Sequence, residues 1–516
     1  MVLKEDIQLI IPMSGLGRRF VEAGYEDPKP LIEVDGKPII AHVLDMFPGV
    51  TDVTFICNRL HIDTTNMANI LKQYCPTAKI VTIPKHKKGP VYAVSQIFDM
   101  VDDNKPVIVS YCDYGTVWDF DGFLESVEGF DGGIPCYTGF HPHMLGSDNY
   151  AFCKEDNLVL QDIKEKEPFT DNKMGEFASN GCYYFGSGSI VKTYFQKLMD
   201  ADLNLKGEFY VSLVYKMLLE DGLKTRIFEI EKMLQWGTPY DLEIYKGWSD
   251  CFTNLKKDQN TAPEQDFTLI LPMAGHGQRF ADEGYGPKPL IPVDNNPMII
   301  RAVKSLPKFK KSKFICLEKH VVETSIDKEI HKYYPDADVI EICDVTEGQA
   351  CTCEIGINSL DEPNESILIS ACDNGACYDE DKFLDLVRDE SVDVIVWSFR
   401  NNQTSKVNPN MYSWLDVDDD GNVRGVSCKK FDGGNPLERH AIIGTFYYRN
   451  AKEFIKGLNV NKFHDERTSG EFYVDDVINR NIQAGLKVKV FEVDNYICWG
   501  TPDDYRTYNY WKEYFE

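Results

Sequence analysis

Apolar residues along the first half fall into short β-rich runs separated by stretches with helical spacing. "IQLIIPM", "DVTFIC" and "PVIVSYC" are the runs, while "NMANILKQY" and "VYAVSQIFDMV" carry their apolar positions three and four apart. Alternation of this kind predicts an α/β fold with a mainly parallel sheet flanked by helices. The later runs "GCYYFGSG" and "TRIFEIE" predict further strands and therefore a mixed sheet.

The pattern then occurs again. "PMSGLGRRFVEAGYEDPKPLI" from Pro12 returns as "PMAGHGQRFADEGYGPKPLI" from Pro272, and "VIVSYCDYG" returns as "ILISACDNG", 260 residues later. "GEFYV" at Gly207 and "QWGTPYDLEIY" at Gln235 return 263 residues later. Constant order and nearly constant offset indicate duplication of a whole domain rather than a short solenoid repeat. The polar stretch "NLKKDQNTAPEQD" reads as the linker. We expect a first domain over 1–255, a second over 262–516 and a linker over 253–265, with the boundary near Thr261.

Composition narrows the function classes. The 516 residues exceed one ordinary core. Acidic residues outnumber basic ones 82 to 55, giving a net charge of −27, so the mean field repels nucleic acid and anionic membrane. A local basic pocket for phosphate is compatible with that field. No apolar run reaches spanning length and the N-terminal stretch reads as a strand, not a signal peptide. The fifteen scattered cysteines read as reduced thiols of a cytoplasmic protein. "CTC" at Cys351–Cys353 lacks a second pair at zinc spacing and reads as buried thiols. "DVDDDGN" from Asp416 resembles the start of a calcium loop, but its twelfth position is Ser427, so we expect a hairpin turn.

The doubled motif carries the chemistry. An apolar strand runs into Gly15-x-Gly17, where glycine permits a sharp turn and close ligand approach. A helix starting there turns free N–H groups toward an anion. Arg19 follows, and Lys29 is expected on an extended segment between Pro28 and Pro30. Gly275, Gly277, Arg279 and Lys288 repeat the set. The result is a phosphate cradle with two fixed cations. It is not a Walker loop, and Phe20 fills the third glycine position of a dinucleotide fingerprint. Asp113 and Asp373 stand where ligands sit in parallel sheets, at the carboxyl end of a strand, suited to hold Mg²⁺ against a triphosphate.

Taken together, Gly-x-Gly-x-Arg-Phe, Pro-Lys-Pro, a strand-end Asp and a late Gly-Thr-Pro resemble the sugar-1-phosphate nucleotidyltransferases, the NDP-sugar pyrophosphorylases. The resemblance runs from about Ile7 to Trp248 and again from about Phe267 to Trp511. It implies two tandem Rossmann-like (GT-A-type) nucleotidyltransferase domains. It also implies transfer of a nucleoside monophosphate from an NTP to a sugar 1-phosphate with release of pyrophosphate, for glycan precursor synthesis. The glycine loops with Arg19 and Arg279 would bind the triphosphate, Lys29 and Lys288 would stand by the α-phosphate, and Asp113 and Asp373 would bind Mg²⁺. "DIKEKEPF" supplies the family's Glu-Lys pair as Glu165 and Lys166, whose lysine binds the acceptor phosphate. "VSCKKF" supplies only a lysine, taken as Lys430. Gly348 and Gln349 of "TEGQACT" match the base-binding loop, and Gly89 of "HKKGPVYAV" takes that place in the first half.

One position departs from the family. Its second metal Asp, two residues before the late glycine, is here Gln235 and Cys498. Glu208 or Glu471 of "GEFYV" could substitute or be structural, and Asp241 and Asp504 read as first-turn acids of a last helix. A GT-A glycosyltransferase with an Asp-x-Asp metal motif is a rival, on Asp119-Phe-Asp121 and Asp379-Glu-Asp381; there the second Asp reads as an N-cap instead. Two further alternatives stay open. One is a cytidylyltransferase acting on a phosphorylated alcohol. The other is a division of labour, with one catalytic half and one regulatory or pseudo-dimer half; a homo-oligomer is equally compatible.

Overall fold

The computed structural model describes residues 2–146, 148–257 and 260–516. Part of the expected linker, Asp258 and Gln259, lies outside them. The chain divides into two compact units, Met1–Lys246 and Gly247–Glu516; the division falls within the helix Pro239–Leu255.

In the first unit, among the described residues, ten strands form one mixed sheet. Its parallel part is ordered Lys79–Ile83, Asp52–Asn58, Gln8–Met13, Val107–Ser110. Val107–Ser110 then meets the antiparallel strand Cys182–Phe185, followed by Gly132–Tyr137. The central strands are buried on both faces, which is why they read as continuous apolar runs rather than alternating ones. Parallel neighbours need crossovers, and the helices Met67–Tyr74 and Gly89–Ser95 lie within two of them.

The second unit repeats the order. Asp338–Ile342, Phe309–Leu317, Gln265–Pro272 and Ile367–Ile369 are parallel, then His440–Tyr448 is antiparallel, then Val394–Phe399. Both units are Rossmann-like α/β domains with mixed sheets, and the strand order shows the duplication directly.

Each unit also has a two-stranded ribbon that matters for the site. Lys232–Gln235 pairs antiparallel with Tyr114–Val117, and Asn495–Cys498 with Asn374–Cys377. These ribbons return the chain, some 120 residues later, to the residue following each strand-end Asp. The segment from Asp416 forms a hairpin, Trp414–Val417 with Val423–Ser427, whose turn is held by Asp418 accepting from the Asn422 amide at 2.8 Å. Cys351 and Cys353 are buried on the helix Gln349–Asn358. Among the described residues no helix is long and apolar enough to cross a membrane.

Candidate active site

The glycine loop leaves the strand Gln8–Met13 and passes through Gly17, whose φ of 60° is left-handed, into the five-residue helix Arg18–Glu22. Gly277 has the same conformation, φ 63°, before Gln278–Asp282. Here glycine avoids the Cβ penalty of that region. A Cβ on Gly15 or Gly275 would meet nothing within 4 Å, so space beside the loop is open on both copies. Lys29 does not lie on an extended segment. Pro28 (φ −54°, ψ 137°) leads into a single 3₁₀ turn, Lys29–Leu31, because proline pre-sets a helical φ at its own position. Lys288–Leu290 is its copy.

That turn aims the lysine at the strand-end acid. Lys29 Nζ donates to Asp113 Oδ2 at 2.5 Å, and Lys288 Nζ to Asp373 Oδ2 at 2.5 Å. Asp113 is not on the strand, which ends at Ser110; it sits in the link to Tyr114–Val117. Burial opposes the Lys29 ammonium, but Asp113 and its hydrogen bond, with Cys112, outweigh burial and lift its pKa. Lys288 is lifted in the same way by Asp373. Both lysines therefore stay cationic at neutral pH.

The ribbon brings the late Gly-Thr-Pro to this pair. The Trp236 amide donates to the Asp113 carbonyl at 3.2 Å, and Trp499 to Asp373 at 2.9 Å. A Cβ on Gly237 would stand 3.2 Å from Asp113 Oδ2 and 3.2 Å from Gln235 Oε1, so both side chains border this glycine. On Gly500 it would stand 3.3 Å from Cys498 Sγ, 3.5 Å from Asp373 Oδ2 and 4.0 Å from Asp504 Oδ2. Asp504 thus caps its helix through Thr501, at 2.7 Å, and also faces Asp373. Asp241 is held by Thr238 at 2.6 Å; burial, with Asp113 adding to it, pushes its carboxyl up to about 6. In the Asp-x-Asp stretches, Asp119 and Asp379, the first acid of each rather than the second, cap helices by accepting from the Gly122 and Lys382 amides.

With this geometry in place, residues 9–145 match the family model of the MobA-like NTP transferase domain. No curated protein matches the chain. Among solved structures, the nucleoside-diphosphate-sugar pyrophosphorylase from Vibrio cholerae RC9 is similar at 21% identity. It covers 45% of this chain and 97% of its own, with a TM-score of 0.39. The inositol-1-phosphate CTP transferase from T. maritima is similar at 15% identity, covering 49% of this chain and 97% of its own, with a TM-score of 0.38.

In the first half, Arg19, Asp113 and Lys166 line one cavity with Tyr111, Glu165 and Tyr210. Lys166 donates to the Tyr210 hydroxyl at 2.7 Å, with its ammonium 4.2 Å from that ring's centroid. Tyr210 donates to Glu208 at 2.8 Å, so Glu208 belongs to the lysine end of the cavity. Lys166 is pulled down by burial, which Glu165 and Glu208 only partly oppose. In the second half the residue with this placement is Lys429, not Lys430. Lys429 has the left-handed φ of Lys166 (49° against 59°) and lies 5.8 Å over the Tyr473 ring, while Lys430 is exposed. Arg279 is exposed on its short helix.

Gly89 and Gly348 carry a packing reason of their own. A Cβ there would stand 2.8 Å from the Phe209 backbone and 2.5 Å from the Phe472 amide nitrogen. The Phe209 amide donates to Lys88 and the Phe472 amide to Glu347, each at 2.9 Å. The two "GEFYV" segments are thus strapped to the two loops, which explains why both motifs recur together. Gln349 opens the helix Gln349–Asn358 just after this contact. Sequence reasoning missed one first-half contact: Ser14, beside the glycine loop, shares a 2.9 Å hydrogen bond with His86, where the second half has Ala274.

Proposed function

We propose that the chain transfers a nucleoside monophosphate from an NTP to a phosphomonoester acceptor, in the first instance a sugar 1-phosphate, and releases pyrophosphate. The observation that carries this reading is one cavity lined together by Arg19, by Asp113, which is paired with Lys29, and by Lys166. A triphosphate on the glycine loop and an acceptor phosphate on Lys166 would then face each other.

An acceptor phosphate oxygen attacks the α-phosphorus; the new P–O bond forms as the bond to the β-phosphate bridging oxygen breaks, and pyrophosphate leaves. Nothing covalent is asked of the protein, so positioning and charge neutralisation carry the rate. Arg19 offsets charge building on the leaving pyrophosphate, Lys29 stands by the α-phosphate, and Lys166 orients the nucleophile. Arg279, Lys288 and Lys429 take these parts in the second half.

The donor set fits Mg²⁺. Asp113 with Asp241, and Asp373 with Asp504, offer hard carboxylate oxygens. Among the described residues no group of three His, Cys, Asp or Glu gathers as a metal site. Magnesium is characteristically held by one or two carboxylates plus substrate phosphates. When bound, it would supply further charge neutralisation at the phosphates.

The test is a pyrophosphate-release screen of NTPs against sugar 1-phosphates and other phosphomonoesters, on the full chain and on Asp113→Ala and Asp373→Ala. Release with no NTP–acceptor pair sinks the proposal. Loss of turnover with one Asp change alone makes the other half auxiliary.

A further inference from the structure

The glycine loop of the first half is tethered by polar side chains whose counterparts in the second half are apolar. Ser14 precedes Gly15 and is 4% exposed. Its carbonyl accepts from Asn58 Nδ2 at 3.2 Å, at the end of the strand Asp52–Asn58. Its hydroxyl lies 2.9 Å from His86 Nε2. His86 stands three residues before Gly89, and its Nδ1 accepts from the Lys88 amide at 3.2 Å. Moved by 260 residues, as Gly15 is to Gly275, Ser14 becomes Ala274. Moved by 259, as Gly89 is to Gly348, Asn58 becomes Leu317 and His86 becomes Val345. Three linked polar residues are thus replaced together.

The hydrogen bonds fix the direction of each proton. A ring nitrogen that accepts from an amide carries no proton, so the proton of neutral His86 is on Nε2 and is donated to Ser14 Oγ. Burial first, and then Lys88, lower the ring's pKa from the ordinary 6.5, which Glu208 only partly opposes, so the ring is neutral at neutral pH. The Ser14 hydroxyl therefore accepts from His86 and keeps its own proton, which has no acceptor among the described residues. The next residue is Gly15, where a Cβ would meet nothing within 4 Å, and the loop then enters the short helix that carries Arg19. A hydroxyl proton free beside this open space can make a charge-assisted hydrogen bond to an anionic oxygen held by the loop.

We propose that Ser14 donates to a phosphate oxygen of the triphosphate, that His86 is the positioning residue holding Ser14 for this contact, and that the first half consequently binds the triphosphate more tightly than the second. This inference rests on reading the glycine loops as triphosphate cradles. What the pair recognises is the polyphosphate itself, whatever base it carries.

Inorganic tripolyphosphate, which has the phosphate chain without sugar or base, tests it by isothermal titration of the full chain. We expect two sites, the tighter one in the first half. Ser14→Ala should weaken one site about tenfold, the scale of one charge-assisted hydrogen bond. The other site should be unchanged, which reports an intact fold. His86→Ala should do the same, and the double variant should lose no more than either single one, because the two side chains act as a unit. His86→Gln offers an amide donor in place of the ring's and should keep the affinity within about threefold. In pyrophosphate release with Asp373→Ala, adding Ser14→Ala should raise the NTP KM about tenfold and leave the acceptor KM unaltered. Equal rises in both would mark a tie that merely holds the two loops together, and would overturn the inference. It is equally overturned if Ser14→Ala changes neither site, if the losses add in the double variant, or if His86→Gln binds as weakly as His86→Ala. Binding of tripolyphosphate to neither half would instead overturn the cradle reading itself.

Discussion

Burying an ionisable acid at Asp475 should cost stability, and the cost should depend on pH. Burial, offset in part by Lys429 and increased by Asp476, pushes its carboxyl up to about 6 from an ordinary 3.8. A rise of about two pKa units corresponds to about 3 kcal/mol. For an acid whose folded pKa is raised, the native state holds its proton longer than the unfolded chain does. Stability therefore falls as pH rises from about 4 to about 6, and the full cost is present above that window. Asp475→Asn keeps the shape and removes the ionisation. It should stabilise the unit by up to about 3 kcal/mol at pH 7.5, and by only about 1 kcal/mol at pH 4.5. In a domain of this size that is roughly 6–10 °C in Tm at the higher pH. Differential scanning calorimetry of the full chain and the variant, from pH 4.5 to 8, reads the difference directly. A variant less stable at pH 7.5, or a Tm difference that does not change with pH, would refute the reasoning.

Three further outcomes can be measured. Gly348→Ala places a Cβ 2.5 Å from the Phe472 nitrogen at φ 134°, and should cost about 3 kcal/mol or more in urea unfolding. Gly275→Ala meets open space and should cost less than about 1 kcal/mol. Lys29→Met removes the cation paired with Asp113, and pyrophosphate release by the first half, measured in an Asp373→Ala background, should fall about 10²–10³-fold; a change within about threefold would remove Lys29 from the mechanism. Lys429→Ala should raise the acceptor KM of the second half in an Asp113→Ala background, while Lys430→Ala should leave it unaltered; the reverse result would restore the assignment read from sequence.

The α/β class and the duplication were legible because buried parallel strands write themselves as apolar runs and the motifs fall at a fixed offset. The cradle was legible for a similar reason: a glycine loop, a Pro-flanked lysine and an acid after a strand are each short and local. Less legible were placements that turn on one or two residues. "VSCKKF" offers two adjacent lysines, and the left-handed φ shared with Lys166 and the place over the Tyr473 ring single out Lys429. Pairing shifts between Asp416 and Val417 in the second unit, and between Leu160 and Asp162 in the first unit, whereas the 263-residue offset of "GEFYV" leads from Lys166 to Lys429. The 3₁₀ turn at Lys29 and the capping by Asp119 are likewise matters of one residue, below what propensity resolves. Asp241 was read as a first-turn acid, which it is; that it also faces the Asp113 site depends on a ribbon joining segments about 120 residues apart.

The two halves differ along the cavity in a graded way. At the triphosphate end the copies are close: the same glycine conformation, the same 3₁₀ turn, and lysine–aspartate pairs of 2.5 Å in both. Toward the acceptor they part. Tyr111 corresponds to Ala371 and Tyr183 to Phe446, by the register of the strands they adjoin. Beside the glycine loop, Ser14 with His86 has no counterpart at Ala274. Contacts to a triphosphate are set by charge and geometry common to every NTP, so a duplicate that keeps the chemistry is free to change only around them. Acceptor recognition depends on the shape and polarity of the walls, where Tyr to Ala or Tyr to Phe removes a ring or a hydroxyl. On the proposed reading the divergence is thus greatest toward the acceptor, while at the triphosphate end it is confined to Ser14 with His86 and to Gln235 against Cys498. Substitutions at Lys29 and Lys288 should accordingly have matching effects, whereas acceptor preferences measured on one half give no guide to the other.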